Sequence, residues 1–190
     1  MGFFLETLLG GLMTGMLYAL VAIGFVLIFK ASGVFNFAQG AMVLFAALAM
    51  ARFSEWIPKW LGMAPGFVTI ALALMVSVII MIGVAWLIER LALRHLVNQE
   101  PITLLMATLG IAYLLDGLGP MIFGSAVYSI DVGMPKDPVF ILENVFDGGV
   151  LVSKEDLYSA CIAAVLVALL SLFFQKTKTG RALRAVADDH

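Results

Sequence analysis

Cysteine, histidine and charge are all scarce in this sequence, and each shortage removes a class of function. The one cysteine, Cys161, stands inside an apolar run and is read as a packing residue, so there is neither a disulfide framework nor a metal-thiolate spacing. The two histidines, His95 and His190, lie far apart in charged flanks, and no Gly-x-Ser-x-Gly or His-Glu-x-x-His pattern occurs. The chain therefore offers no catalytic residue and no metal ligand set. It also lacks a Gly-x-x-x-x-Gly-Lys-Ser/Thr phosphate loop, so any ATP it depends on is bound by another chain. Only 13% of residues are charged, where a soluble domain has about 25%. With 11 basic against 13 acidic side chains, the balance excludes a nucleic-acid surface.

What the sequence has instead is apolar length. Hydrophobic residues make up 63% of its 190 positions, and the mean hydropathy is +1.07. Crossing a ~30 Å hydrocarbon core takes about 20 residues of helix, and such windows lie near Leu8–Phe29, Phe67–Ile88, Ile102–Phe123 and, shorter but uncharged, Leu157–Phe174. Between the first two, Phe37–Ala51 offers only ~15 residues, which predicts a short or re-entrant second span. The expected fold is an all-α integral membrane protein of about five transmembrane helices, with residues 1–190 forming a single transmembrane domain. No basic residue precedes the first apolar run, so Met1–Phe29 reads as a retained helix and not a cleaved signal peptide.

Loop charges orient the spans, because short cytoplasmic loops collect Lys and Arg. Arg90 and Arg94 follow the third span, and Lys176, Lys178, Arg181 and Arg184 follow the fifth. The connection from Gly124 to Asp156 carries Lys136 and Lys154 against Asp131, Asp137, Glu143, Asp147, Glu155 and Asp156, and is expected outside. The Arg52–Gly66 loop then also lies outside, with Trp56 and Trp60 at headgroup level; the amino terminus is external and the carboxyl terminus cytoplasmic.

The polar residues within this apolar frame are few. The segment Val34-Phe35-Asn36-Phe37-Ala38-Gln39-Gly40 sets two amides and a glycine between two apolar stretches. An interrupted helix at membrane depth survives only where protein or a wet cavity covers it, so the break marks a pathway. Asn36 is placed to cap a helix starting near Phe37, and an open helix amino terminus suits a carboxylate. The competing reading has Asn36 only capping, Gly40 only packing and Gln39 facing headgroups at the cytoplasmic boundary. Asp116 is the one acid inside an apolar span, which makes it a functional hypothesis. Gly117, Gly119 and Pro120 follow it, predicting a kink or frayed end and a rim position for Asp116. Thr103, Thr108 and Tyr113 in the same span suit interhelical hydrogen bonds. On the first span, Gly11, Gly15 and Ala19 make a small-residue row for close helix packing, with a homodimer seam as the alternative.

These residues also carry a resemblance. Gly11-Leu-Met-Thr-Gly15-Met-Leu-Tyr18-Ala-Leu-Val-Ala-Ile-Gly24, followed by Asn36-Phe-Ala-Gln-Gly40, resembles the branched-chain amino-acid ABC transporter permeases. Thr108-Leu109-Gly110-Ile111, Ile122-Phe123-Gly124 and Thr179-Gly180-Arg181-Ala182-Leu183-Arg184-Ala185-Val186-Ala187 continue the family's order along nearly the whole chain. The resemblance implies a permease subunit of a bacterial-type inner-membrane importer that binds no cofactor itself. It works with a second permease subunit, two cytoplasmic ATPase subunits that bind ATP, and an extracytoplasmic solute-binding protein. It adds Tyr18, Phe37 and Gly40 to Asn36 and Gln39 on the substrate path. It makes Gly180, Arg181, Ala182, Arg184 and Ala185 the contact for an ATPase subunit. Family members carry further spans after that element, so this chain is expected to represent an amino-terminal portion. The rival classes are a fragment of an ion-coupled carrier or channel, which wants acids in several spans, and a membrane scaffold without transport, which needs no amides at the break.

Overall fold

The computed structural model describes residues 2–32, 35–64, 66–96, 99–126, 128, 138–141 and 150–176. Among them, five helices are long and apolar enough to cross a membrane: α1 Gly2–Ser32, α2 Ala38–Leu61, α3 Phe67–Leu91, α4 Pro101–Phe123 and α5 Lys154–Lys176. They divide into two compact units, residues 1–33 with 134–190, and residues 34–133.

In the second unit α2 packs on both α3 and α4. Its inward face is built largely from small side chains, Ala38, Ala41, Ala49 and Ala51, with Phe45 as the one large buried ring. Where the surrounding solvent is hydrocarbon, apolar area gives little drive to associate, and close backbone approach through small residues replaces it. Gly119 of α4 shows how tight the approach is: a Cβ there would lie 3.1 Å from Leu48 Cδ1. Leu115 and Phe123 of α4 complete this core, with Phe45 and Phe123 edge to face at 5.2 Å between ring centroids. The outside is the reverse of a soluble protein. Large apolar residues such as Val68, Ile79, Ile82 and Met121 are exposed, while Thr69, Ser77 and Thr108 are buried.

The helix ends follow local chemistry. Thr69 Oγ1 closes the start of α3 by accepting from the Gly66 N–H (2.9 Å) and donating to the Gly66 carbonyl (2.8 Å). Pro101 stands in the first turn of α4, where no intrahelical N–H is required of it. A Schellman turn ends α2, with Met63 N–H on the Pro58 carbonyl at 3.1 Å.

The second span is longer than the ~15 residues expected. It continues from Ala51 through Arg52 and Glu55 to Leu61, 24 residues in all, and is neither short nor re-entrant. Apolar counting stops at Arg52, but that charge is met by side chains and a carbonyl, so the helix has no reason to stop there. Helix α4 reaches Phe123 as expected and does not fray after Asp116: it runs as helix through Gly117, Gly119 and Pro120.

In the first unit α1 packs on α5. Strand β1, Pro138–Ile141, pairs antiparallel with β2, Val150–Ser153, in the register Pro138↔Ser153 to Ile141↔Val150. This hairpin, rich in β-branched and aromatic residues, was not expected from the sequence. It seats Val152 against Met13 of α1, with Leu5, Leu9 and Ala160 around them. Helix α5 starts directly after β2 with Glu155 and Asp156 in its first turn, where the macrodipole favours acids.

Candidate functional site

At the break, Asn36 does what its position predicts. Its Oδ1 accepts the Ala38 N–H at 3.0 Å, and its main-chain carbonyl accepts the Gln39 N–H at 3.3 Å. Phe37 already has helical angles (φ −68°, ψ −19°), so Ala38 holds the second helical position and Asn36 is the cap in the geometric sense. The cap engages two of the N–H groups that a helix start leaves open, which leaves fewer for an anionic ligand than the sequence suggested. It uses the oxygen of the Asn36 amide, not its nitrogen. Gln39 does not face outward: at 8% exposure its side chain is buried in the unit. A buried amide at the start of a membrane-length helix is costly unless hydrogen-bonded, so its presence there is not a matter of surface solubility. Phe37 and Gly40 are exposed on the same first turn.

The other expected residues fall elsewhere. Tyr18 lies exposed on α1, in the unit that does not contain the break. Thr108 is buried and turns back on its own helix, donating to the Leu105 carbonyl at 2.9 Å. Asp116 is exposed on α4, within the continuous helix. Gly180, Arg181, Ala182, Arg184 and Ala185 lie outside the described residues.

The most connected polar group was missed by sequence reading, which treated Arg52 as the start of a loop. Its Nε donates to the carbonyl of Phe123, at the end of α4. Its Nη1 pairs with Glu55 Oε2 at 3.2 Å. The guanidinium carbon lies 4.6 Å from the Tyr128 ring centroid and 5.4 Å from that of Trp56. Tyr128 Oη donates to the same Phe123 carbonyl at 2.9 Å. A cation at the carbonyl end of a helix is favoured by its dipole, and the planar guanidinium is suited to stack and donate at once. Gly124 makes room for this, with φ 90°; a Cβ there would stand 2.5 Å from Tyr128 Oη and 3.3 Å from Arg52 Nη2. The available signal was an arginine one turn before Trp56 and a glycine directly after an apolar span.

A separate, open apolar groove of ≈ 420 Å³ lies between α2 and α3, lined by Ala46, Met50, Leu74, Val78 and others. Its one polar side chain, Ser77, donates to the Ala73 carbonyl at 2.7 Å.

Comparison with known proteins matches residues 7–190 to the family model described as branched-chain amino acid transport system / permease component. Among curated proteins, the chain is 27% identical over 206 residues to the high-affinity branched-chain amino acid transport system permease protein LivH of Salmonella typhimurium, and equally to LivH of Escherichia coli K12. It is 26% identical over 186 residues to the corresponding permease protein BraD of Pseudomonas aeruginosa. Each match covers 98% of this chain and 60% of the relative, so the chain spans about three fifths of the length of these proteins. No solved structure matches at a significant level.

Proposed function

Because the chain belongs to the branched-chain amino acid permease family, a family of multi-pass membrane proteins, we propose that it is the membrane-spanning permease subunit of an ABC importer for leucine, isoleucine and valine or a related small amphipathic solute. The observation that carries this reading beyond the family is the start of α2, where Asn36 caps a membrane-length helix and Gln39 buries an amide beside it. A scaffold has no use for polar groups there, whereas a polar path needs them at protein-covered positions.

In this reading the chain does no chemistry of its own. Two ATPase subunits bind and hydrolyse ATP, a second permease subunit completes the pathway, and a solute-binding protein delivers substrate from outside. Closure of the ATPases rocks the helices and alternates access to a site near the midplane. Gly180, Arg181, Ala182, Arg184 and Ala185 form the cytoplasmic contact through which the closure is felt. The amino terminus faces outward and the carboxyl terminus inward, as the lysine and arginine distribution directs. Leu, Ile and Val differ only in methylene placement, worth about 1–3 kcal/mol in an apolar pocket, so the binding protein sets much of the selectivity.

The test is ATP-driven leucine uptake into proteoliposomes holding the complete transporter. Asn36→Leu is expected to abolish or strongly reduce uptake while subunits still assemble, and Phe35→Leu to be milder. Normal uptake by Asn36→Leu removes the break from the pathway, and uptake driven by an ion gradient without the ATPases overturns the ABC reading.

A further inference from the structure

Arg52 ends the row of side chains that α2 turns toward α4. Phe45 and Ala49 precede it at helical spacing, and Leu115 and Phe123 answer from α4. The two helices are joined at two levels. At Gly119 they come so close that a Cβ would stand 3.1 Å from Leu48 Cδ1, which sets their spacing. One turn further on, the Phe123 ring meets Phe45 and Phe53 edge to face, at 5.2 and 6.4 Å between centroids. The Phe123 carbonyl, one of the last four of α4 and so without an intrahelical donor, takes the Arg52 N–H. A slip of α4 along α2 by one turn, about 5.4 Å, would carry that carbonyl out of Arg52's reach. Arg52 is itself held by the Tyr128 and Trp56 rings and by Glu55, so it is not free to follow. Helix α3 spends its two buried hydroxyls differently. Thr69 and Ser77 donate to carbonyls at its own start and within it, and Ser77 meets α2 at Met50 Sδ, 4.0 Å away and a weak acceptor. Gln39 lies toward the other end of α2, about 20 Å from Arg52 at the rise of a regular helix.

Resting on the permease reading above, we infer that Arg52 is a positioning residue for transport: its hold on the Phe123 carbonyl keeps α2 and α4 in register as one rigid arm, which carries the turn at Asn36 and Gln39 through the alternation of access without sliding. The test uses the complete transporter in proteoliposomes, with Cys161→Ala as background and uptake scaled to the amount of assembled complex. Leu48→Cys with Gly119→Cys removes the very atom a Cβ at Gly119 would press on, and copper phenanthroline then links α2 to α4. The linked transporter is expected to keep at least about half the leucine uptake of its reduced form, since a rigid pair loses little by being locked. Arg52→Ala should lower the maximal rate about tenfold, the scale of a charged hydrogen bond, with KM for leucine unchanged and more ATP hydrolysed per leucine. Arg52→Lys should recover part of the rate, and the link placed in Arg52→Ala should recover most of it together with the ATP ratio. Uptake halted by the link and restored by reductant would show that the two helices must slide. A full rate per assembled Arg52→Ala complex, a raised KM, or a lost rate that the link does not recover each overturns the inference as well. Those failures leave the permease reading standing, since that falls only if the unsubstituted complex takes up no solute on ATP.

Discussion

The two helix ends that matter most in residues 34–133 are closed by opposite means. The start of α2 is capped from two residues away, by the Asn36 amide on the Ala38 N–H. The end of α4 is closed by Arg52, 71 positions earlier in the chain, together with Tyr128 five positions later. The first device orders its own turn and nothing else. The second fastens α4 to α2, because the arginine belongs to one helix and the carbonyl to the other. A local cap can be lost with the helix pair intact, whereas loss of the distant one loosens the pair itself.

The largest effect is therefore expected at Arg52. Arg52→Ala should lower unfolding stability in mixed micelles by about 2–3 kcal/mol, from a charged donor lost to the Phe123 carbonyl and the stacking on two rings. The Glu55 pair adds little to this, because both side chains are partly exposed and such pairs contribute about 0–1 kcal/mol. Arg52→Lys keeps the charge without the planar fork and should recover only a minority of the loss. A denaturant titration in which Arg52→Ala matches Asn36→Ala would abolish the distinction drawn between the two ends.

Next comes Gly124→Ala, at about 2 kcal/mol. Its φ of 90° with ψ 160° is a region other residues scarcely occupy, and the added methyl would press on Tyr128 Oη. Combining it with Tyr128→Phe removes that contact but not the backbone strain. Thermal melts should accordingly show the double variant no more stable than Gly124→Ala by more than about 1 kcal/mol, and full recovery would mean that the contact alone mattered.

The smallest of the three is Asn36→Ala, about 1 kcal/mol for a lost amino-terminal cap, with Asn36→Asp nearly unchanged. Combined with Arg52→Ala its cost should add to within about 0.5 kcal/mol, since the two devices share no partner. A larger coupling, measured by a double-mutant cycle, would show that the start of α2 and the end of α4 communicate.

How far the sequence could be read divides along the same line. The Asn36 cap was legible because the residue, the break and the helix start are neighbours in the chain. Arg52 read as a boundary because its partners at Phe123 and Tyr128 are assembled only by packing, and the true length of α2 was hidden with it. The hairpin of Pro138–Ile141 and Val150–Ser153 escaped because four-residue strands have too little periodicity to stand out in a long polar connection. Burial of Gln39 and the inward turn of Thr108 were equally invisible, since an all-apolar helix carries no stripe to say which side faces protein.

By itself the sequence determined that this is a helical membrane protein and placed the five membrane-length helices found among the described residues, though not the full length of α2, because the cost of leaving backbone groups unpaired in hydrocarbon makes a run of about 20 apolar residues a helix. It determined the helix start at Asn36 for the local reason given. Tertiary structure alone decided which faces meet, that Ala41, Ala49 and Gly119 bring α2 and α4 close, and that Arg52 ends α4. Hydrophobicity sorts residues into the bilayer but does not rank one apolar side of a helix over another. Only the fit of small side chains and the reach of a single cation made that choice.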